Sequence, residues 1–215
     1  MTGRRSRLHP KTARTDHEIV DLLRRRWSPR AFDPDQPVDR ADLFRLFEAA
    51  RWAPSSFNVQ PWRFVVADRG RSQETYDALF AALDRSNRMW AGSAPVLVLV
   101  AVKTHHDQFD AENTHAWYDT GQAVSLLTVQ ATALHLAVRQ MQGFDADAAR
   151  AACRIPGGFD PAIVMAVGYP GDPESLEKAS HRQAERQPRT RRPISEFVFE
   201  GAWGRPVEPG RPTRD

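Results

Sequence analysis

One stretch of the sequence, residues 119–137, restricts the fold more than any other. Its apolar residues recur at helical spacing and also fill most of the intervening positions, so the predicted helix has almost no polar face. These apolar residues are Ala123, Val124, Leu126, Leu127, Val129, Ala131 and Leu134. A helix of this kind has to be buried on most sides. In a chain of 215 residues it is either a central core helix or a helix covered by a partner subunit.

The patterns in the rest of the chain indicate an α+β fold. An apolar run over 94–102 predicts a buried strand at 96–102, and Asp16 and Asp39 are predicted to cap helices. Further strands are predicted at 63–67, 163–167 and 197–199. Helices are predicted at 16–26, 39–53, 72–84 and 145–154, whereas the charged stretch 170–193 shows little periodicity. Because helices precede, separate and follow the strands without regular alternation, α+β is favoured over a doubly wound sheet.

The length of the chain predicts one domain with two tails. We expect a basic flexible tail over 1–15, a folded domain over 16–204 and a C-terminal tail over 205–215. The first 15 residues carry five basic and no acidic side chains, but they lack the apolar region of a secretory signal. The longest apolar run has nine residues, whereas a membrane span needs about 20, so no membrane partner is expected. The single cysteine, Cys153, excludes an internal disulfide and favours a reducing, cytoplasmic location.

Arginine dominates the basic residues of this chain. Of 30 lysines and arginines, only Lys11, Lys103 and Lys178 are lysines. Guanidinium groups bind anions through two parallel hydrogen bonds, although codon usage would produce the same bias. Nucleic-acid binding rests on this charge alone, because no basic recognition helix with interleaved aromatic residues is present in the sequence. No nucleic-acid partner is therefore expected.

The usual catalytic signatures are missing from the sequence. The pair Gly157-Gly158 lacks the further glycine and lysine of a phosphate-binding loop. His105 and His106 are adjacent rather than three or four residues apart, so they favour a solvated loop over a metal site. No serine stands in a nucleophile elbow. The sequence predicts neither a metal nor a protein nucleophile.

Two basic segments could bind an anion. Arg26, Ser28 and Arg30 alternate, and in an extended backbone alternate side chains share a face. They would then contact a phosphate or a flavin ring, with a solvated basic loop as the alternative. Near the C-terminus, Arg189 and Arg191 share a face in the same way and form a second possible anion clamp, with a solvated linker as the alternative.

A third segment lies between two prolines. Ser55, Ser56, Asn58 and Gln60 follow a predicted amphipathic helix and precede a predicted strand. A rigid polar loop of this kind presents hydrogen-bonding groups at fixed positions. An ordinary capping turn is the alternative.

Together and in this order, the three segments resemble the FMN-dependent nitroreductase family. The family pattern begins R-R-S-x-R-x-F, continues P-S-S-x-N-x-Q-P-W and ends in a basic pair near the C-terminus. The middle motif is the most specific, and it is matched by Pro54-Ser55-Ser56, Asn58 and Gln60-Pro61-Trp62. The resemblance extends over about 18–204.

The resemblance implies a mixed β-sheet flanked by helices, in an intertwined homodimer with FMN at the interface. It implies an oxidoreductase that takes hydride from NADH or NADPH and reduces a nitroaromatic, quinone or similar small-molecule acceptor by a ping-pong mechanism. Flavin N5 carries the hydride, so no catalytic residue is expected. Two alternatives remain: a flavin-binding or sequestering protein without turnover, and a specialised member such as a dehalogenase or dehydrogenase.

The resemblance also assigns roles to individual residues. Arg26, with Arg191 and Arg189, would hold the FMN phosphate, and Arg30 would lie near N1 and O2 of the ring. Ser28 and Asn87 are further implied FMN contacts. The 141–143 segment, which consists of Met141, Gln142 and Gly143, would offer an N–H toward N5. The other subunit would contribute Pro54, Ser55, Ser56 and Asn58.

Two positions depart from the family pattern. Trp27 belongs to the first FMN-binding segment, but it stands where the family often has Arg or His, which removes one contact to the ribityl-phosphate end. His135 replaces a common glycine at the end of the long helix. It is either a structural cap, which is favoured, or a residue that faces the flavin pocket.

Overall fold

The computed structural model describes residues 9–208, so the predicted tail residues 1–8 and 209–215 lie outside it. The strands within the described part are β1 (Trp62–Asp68), β2 (Val96–Lys103), β3 (His105–His106), β4 (Ala111–Glu112), β5 (Ala137–Met141) and β6 (Phe159–Gly168). The helices there are α1 (Asp21–Arg25), α2 (Arg40–Arg51), α3 (Gln73–Ala82), α4 (Arg85–Ala91), α5 (Ala116–Ala133), α6 (Ala146–Ala152) and α7 (Ala179–Arg186). Short 3-10 helices lie at Ser56–Asn58, Pro173–Ser175 and Ile194–Glu196.

The α+β class is confirmed, with a central sheet in the order β1-β2-β6-β5. All three pairings of this sheet are antiparallel, which corrects the expectation of a mixed sheet for residues 9–208. The reason lies in the connections. Helices α3 and α4 return the chain to the end of the sheet where β1 finished, so β2 runs opposite to β1. Strands β2 and β5 run the same way, but β6 separates them.

The central strand β2 supplies side chains to two apolar layers on opposite faces of the sheet. Leu97 and Leu99 pack on one side with buried residues of α3, α4 and α6. Val96, Val98 and Val100 pack on the other side with buried residues of α2 and α5. This division follows from the alternation of side chains along a strand. The uninterrupted apolar run predicted a buried strand, and this is confirmed.

The long helix α5 ends four residues earlier than the apolar pattern predicted. Leu136 donates a backbone hydrogen bond to Ala131 at 2.8 Å, and His135 donates one to Thr132 at 3.3 Å. With His135 at φ 59°, this is the Schellman arrangement that usually contains glycine. His135 therefore acts as the structural cap of α5, and the chain continues directly into β5.

One face of α5 is buried and the other carries exposed aromatic and aliphatic side chains. Ala123 and Leu127 are 0% and 1% exposed, in the layer shared with α2. On the outer face, Trp117, Tyr118 and Leu126 are 52%, 70% and 40% exposed. Within the described chain, then, the helix is covered on one side only.

The first helix is shorter than predicted. It covers Asp21–Arg25 and begins after Val20, and its N-terminus has no side-chain cap, so Asp16 does not cap it. The preceding segment instead runs beside the helix, where the Ala13 N–H donates to the Arg24 carbonyl at 2.8 Å.

The C-terminal region differs from the prediction in two ways. The stretch 170–193, which shows little periodicity, contains α7. The predicted strand at 197–199 is absent from the described chain, where Phe199 makes only an isolated bridge with Pro206. Proline has no N–H to extend a ladder, so the pairing stops there.

Candidate functional site

The three guanidinium groups predicted to hold a phosphate line one cavity of about 660 Å³, together with those of Arg14 and Arg192. The three belong to Arg26, at the end of α1, and to Arg189 and Arg191, which follow α7. Burial and the Arg191 charge lower the pKa of Arg26, and burial, Arg26 and Arg191 lower that of Arg189. None of the three forms an ion pair within residues 9–208, although Asp16 lines the same cavity. Like charges held together without a counterion favour an anionic ligand.

Arg189 differs from the other two arginines because backbone carbonyls hold it. Its Nε donates to Lys11 at 2.6 Å, Nη1 to Arg26 at 2.5 Å and Nη2 to Arg24 at 2.6 Å. Arg189 therefore links its own segment to the one that contains Lys11 and to residues 24–26, and it fixes the backbone of Arg26. Arg191 is exposed and donates only to the carbonyl of Thr190, at 2.8 Å, in the described chain. We infer that Arg191 is the more available of the two for a ligand.

The extended segment after α1 brings Arg26 and Ser28 together, as the alternation predicted. Arg26 Nη1 donates to Ser28 Oγ at 3.1 Å. The carbonyl of Ser28 accepts a hydrogen bond from Arg139 Nη1 at 2.6 Å. The Arg139 guanidinium also stacks over the Trp90 ring, 5.2 Å from its centroid. Arg139 thus attaches the segment to both β5 and α4.

Trp27 lies on the side of the N-terminal segment rather than in the arginine cavity. Its ring lies 5.2 Å from the His9 ring, centroid to centroid. The Lys11 ammonium lies over it, at 5.7 Å from the centroid. A cation is therefore present beside Trp27 even though the side chain itself carries no charge.

A second cationic cluster surrounds Arg30. The backbone N–H of Arg30 donates to Glu185 Oε1 at 3.1 Å, and Glu185 is 3% exposed. Burial, followed by the Arg30 charge, lowers the pKa of Arg139 to about 10, and the Glu185 charge opposes this shift. Burial is also the main cause that lowers the pKa of Lys11, and the Glu185 charge opposes this shift. One carboxylate thus faces three cations.

Asn87 and Gly143 lie side by side at the ends of α4 and β5. Asn87 Nδ2 donates to the Gly143 carbonyl at 2.9 Å, and the Asp84 N–H donates to the same oxygen at 3.1 Å. A Cβ at position 143 would overlap the Asp84 carboxylate, lying 2.7 Å from its Cγ. Only glycine therefore fits here without moving Asp84, whose side chain caps α4. Within residues 9–208 the N–H of Gly143 donates no hydrogen bond.

Met141 and Gln142 line a cleft of about 440 Å³ between β5 and the outer face of α5. Trp117 and Gly121 of α5 form its other wall. Pro54 lies in a neighbouring cleft on the far side of the same exposed face, also lined by Trp117 and Gly121.

The loop that contains the Pro-Ser-Ser motif has a strained backbone. The backbone angle φ is 49° at Phe57, 55° at Asn58 and 51° at Gln60, and residues other than glycine rarely adopt such positive values. Ser55 Oγ accepts a hydrogen bond from the Gln60 N–H at 3.1 Å. The buried carboxylate of Asp119, in α5, accepts one from the Ser56 N–H at 2.9 Å. These two side chains hold the loop in its strained form.

The predicted site residues therefore fall into separate groups. Arg26, Ser28 and Arg30 form one set with the arginines after α7, and Asn87 forms another with Gly143. Between residues 9 and 208, no hydrogen bond or ion pair links the loop 54–60 to either set. Contribution of that loop from the other subunit stays a prediction.

Sequence reasoning missed four residues of these clusters: Lys11, Asp119, Arg139 and Glu185. Glu185 had a signal, because it is the single acidic residue between positions 178 and 195. Lys11 was placed in the tail, Asp119 served only to begin a helix, and Arg139 fell in an unassigned segment. No pattern in the sequence brings these residues together.

Two further properties concern the described residues alone. No helix of this part combines the length and apolar character that crossing a membrane requires. Among residues 9–208, no three His, Cys, Asp or Glu side chains gather in a way that could hold a metal ion.

Comparisons with known proteins agree on one family. The family model described as Nitroreductase family matches residues 23–169. An uncharacterized 15.4 kDa protein in the ask 5′ region of Mycolicibacterium smegmatis is 33% identical over 151 residues, which are 67% of this chain and 99% of that protein. The Major NAD(P)H-flavin oxidoreductase of Aliivibrio fischeri is 30% identical over 94 residues, which are 44% of this chain and 43% of that protein.

A solved structure resembles most of the chain. It is a crystal structure described as that of an oxidoreductase containing FMN, with a TM-score of 0.81 and 30% sequence identity. The match covers 89% of this chain and 96% of that one.

Proposed function

This chain belongs to the nitroreductase family, and we propose that it is an FMN-dependent oxidoreductase that takes hydride from NADH or NADPH and reduces a nitroaromatic, quinone or similar small molecule by a ping-pong mechanism. The observation that carries the proposal is the arginine cavity, where Arg26 and Arg191 face an anion site without an ion-pair partner in the described chain. FMN carries a phosphate that such a cavity would bind.

The residues present fit FMN at two further places. The backbone N–H of Gly143 donates no hydrogen bond within residues 9–208, so it is available to a ligand. The cations around Arg30 exceed the single carboxylate of Glu185, which suits the electron-rich N1 and O2 edge of the ring. The arginine cavity and the Arg30 cluster adjoin each other, because Arg26, Ser28 and Arg30 stand on one extended segment.

The chain's own residues then bind and orient the cofactor. Arg26 and Arg191 would hold the phosphate, and Arg189 fixes the backbone of Arg26. Arg30 would lie near N1 and O2 of the ring, and the N–H of Gly143 would be offered toward N5. When bound, FMN supplies the redox chemistry by accepting a hydride at N5 and passing electrons to the acceptor. No side chain is required as nucleophile or base for that transfer.

A spectrum and two titrations test the function. We expect purified protein to bind FMN, to lose its visible flavin absorbance when NADH or NADPH is added without oxygen, and to regain it with a nitroarene or a quinone. FMN binding without bleaching would identify a sequestering protein. Bleaching without transfer to either acceptor would indicate a specialised dehydrogenase or dehalogenase. Protein that ignores added FMN contradicts the proposal.

The exposed face of α5 supports a homodimer. Trp117, Tyr118 and Leu126 present apolar area that residues 9–208 leave uncovered. Obligate interfaces bury roughly 2,000–5,000 Å² of surface. Light scattering should therefore give twice the chain mass of 24.3 kDa. Leu126→Arg should yield a monomer with less FMN, because loop 54–58 would then be lost from the partner's site.

A matched variant controls for the added charge. Ala81→Arg places the same side chain on an exposed position of α3, away from the proposed interface, and should remain dimeric. A wild-type monomer that holds FMN at micromolar concentration would refute the dimer.

A cytoplasmic location is also proposed, and its only support is that the chain has a single cysteine, Cys153.

A further inference from the structure

Glu185 is a buried carboxylate in the last turn of α7. It is 3% exposed, and its Oε1 accepts the backbone N–H of Arg30 at 3.1 Å. Its other oxygen, Oε2, is buried and has no hydrogen-bond partner in the part of the chain that the structure describes. A buried carboxylate with an unpartnered oxygen is costly, so its presence calls for a physical reason.

Three cations surround this carboxylate: Lys11, Arg30 and Arg139. Burial raises the pKa of Glu185, whereas the Arg30 N–H and the charges of Lys11, Arg139 and Arg30 lower it. Burial and then the charges of Arg30 and Arg139 lower the pKa of Lys11 and that of His181. Burial and then the Arg30 charge lower the pKa of Arg139. The cluster therefore carries a net positive charge that Glu185 reduces.

The cations are themselves held in place. Arg139 donates to the Ser28 carbonyl and stacks over Trp90. The Lys11 ammonium donates to the Ala184 carbonyl, next to Glu185 in α7, and lies over Trp27. Charges that cannot reorient act on a bound ligand more strongly than mobile, solvated ones.

We propose that Glu185 is a positioning residue of the FMN site, which fixes the backbone of Arg30 and limits the positive charge that reaches the N1 and O2 edge of the ring. This inference rests on the proposed function, because the place of Arg30 beside N1 and O2 comes from the family resemblance. Glu185 would thereby influence the reduction potential of the flavin without touching the cofactor itself.

Glu185→Gln tests the charge with little change in shape. Glutamine keeps an oxygen for the Arg30 N–H but removes the negative charge, so the more negative, reduced form of FMN should gain affinity relative to the oxidised form. We expect the ratio of their dissociation constants to shift about threefold to tenfold toward the reduced form. This raises the midpoint potential by about 15–30 mV, at 29.6 mV per factor of ten for two electrons.

Companion variants separate charge from structure. Arg30→Gln and Lys11→Gln each remove a cation and should move the ratio in the opposite direction. Glu185→Asp keeps the charge but shortens the side chain, so it should lower the melting temperature while leaving the potential near the wild-type value. Glu177→Gln removes a charge from an exposed position and is the matched control, with no expected change in potential.

The outcomes distinguish this inference from the proposed function. If wild-type protein binds no FMN, the proposed function fails. If FMN binds but Glu185→Gln has an unchanged or lower potential, Glu185 is only structural and the inference is overturned. Should Glu185→Gln fail to fold, the same substitution is made together with Lys11→Gln, which removes one charge of each sign. A potential above that of Lys11→Gln alone supports the electrostatic role of Glu185, and an equal or lower one refutes it.

Discussion

Arg191→Ala is expected to weaken FMN binding about tenfold to 150-fold, because a charge-assisted hydrogen bond contributes roughly 1.5–3 kcal/mol. Arg191 is exposed, and within the described chain its guanidinium is engaged only with the neighbouring Thr190 carbonyl. Its removal should therefore leave the melting temperature of the FMN-free protein almost unchanged. Fluorescence titration of FMN into FMN-free protein measures the dissociation constant.

Two neighbouring arginines provide the controls for this variant. Arg192→Ala removes another exposed arginine of the same cavity, but one that pairs with the Glu196 carboxylate, at 3.9 Å. It should leave FMN binding within about twofold of wild type, as a rim charge does. Arg189→Ala should lower both stability and FMN affinity, because Arg189 joins Lys11, Arg24 and Arg26 through backbone carbonyls. Equal FMN affinities for Arg191→Ala and Arg192→Ala would exclude Arg191 from the phosphate site.

The parts of the fold that the sequence predicts well depend on short-range patterns. The apolar run of β2 and the helical spacing of α2 and α5 are set by which faces are buried, and burial repeats every two or 3.6 residues. Asp39 caps α2 as expected, since its side chain accepts from the Ala41 N–H at 2.8 Å. These features need only a few neighbouring residues to be specified.

The parts that the sequence misses depend on contacts between distant segments. Asp16 is a good capping residue, yet α1 begins after Val20 because the preceding segment pairs with Arg24 instead. Helix α7 shows little apolar periodicity because its one buried residue, Glu185, is itself charged. Long-range contacts override local propensity at both places.

The candidate site divides in the same way. The motif residues Arg26, Ser28 and the 54–60 loop are recognisable because their order and spacing are specific. The residues that hold them are not: Asp119 is 63 positions from Ser56, and Arg139 is 111 positions from Ser28. Supporting residues of this kind become visible only when the chain is folded.

Gly171→Ala is expected to destabilise the protein by about 3 kcal/mol, the upper part of the usual range for overpacking. Gly171 follows β6 and crosses the 31–33 segment, where its N–H donates to the Ala31 carbonyl at 2.9 Å. A Cβ there would overlap the carbonyl oxygen of Phe32, at 2.5 Å from its carbon and 2.8 Å from the Asp33 nitrogen. These are backbone atoms, so no change of rotamer relieves the overlap.

The melting temperature should fall by about 6–12 °C, given roughly 2–4 °C per kcal/mol for a chain of this size. Gly157→Ala is the matched control, because no atom lies within 4 Å of its added Cβ, and its melting temperature should stay close to that of wild type. Because the 31–33 segment continues directly from Arg30, displacing it should also weaken FMN binding by about tenfold, the loss of one charge-assisted hydrogen bond. Melting curves with and without FMN separate the two effects, since a ligand that binds only the folded state raises the melting temperature by an amount that grows with the logarithm of its affinity. A Gly171→Ala protein as stable as Gly157→Ala would show that the two backbone segments do not cross as closely as the structure places them.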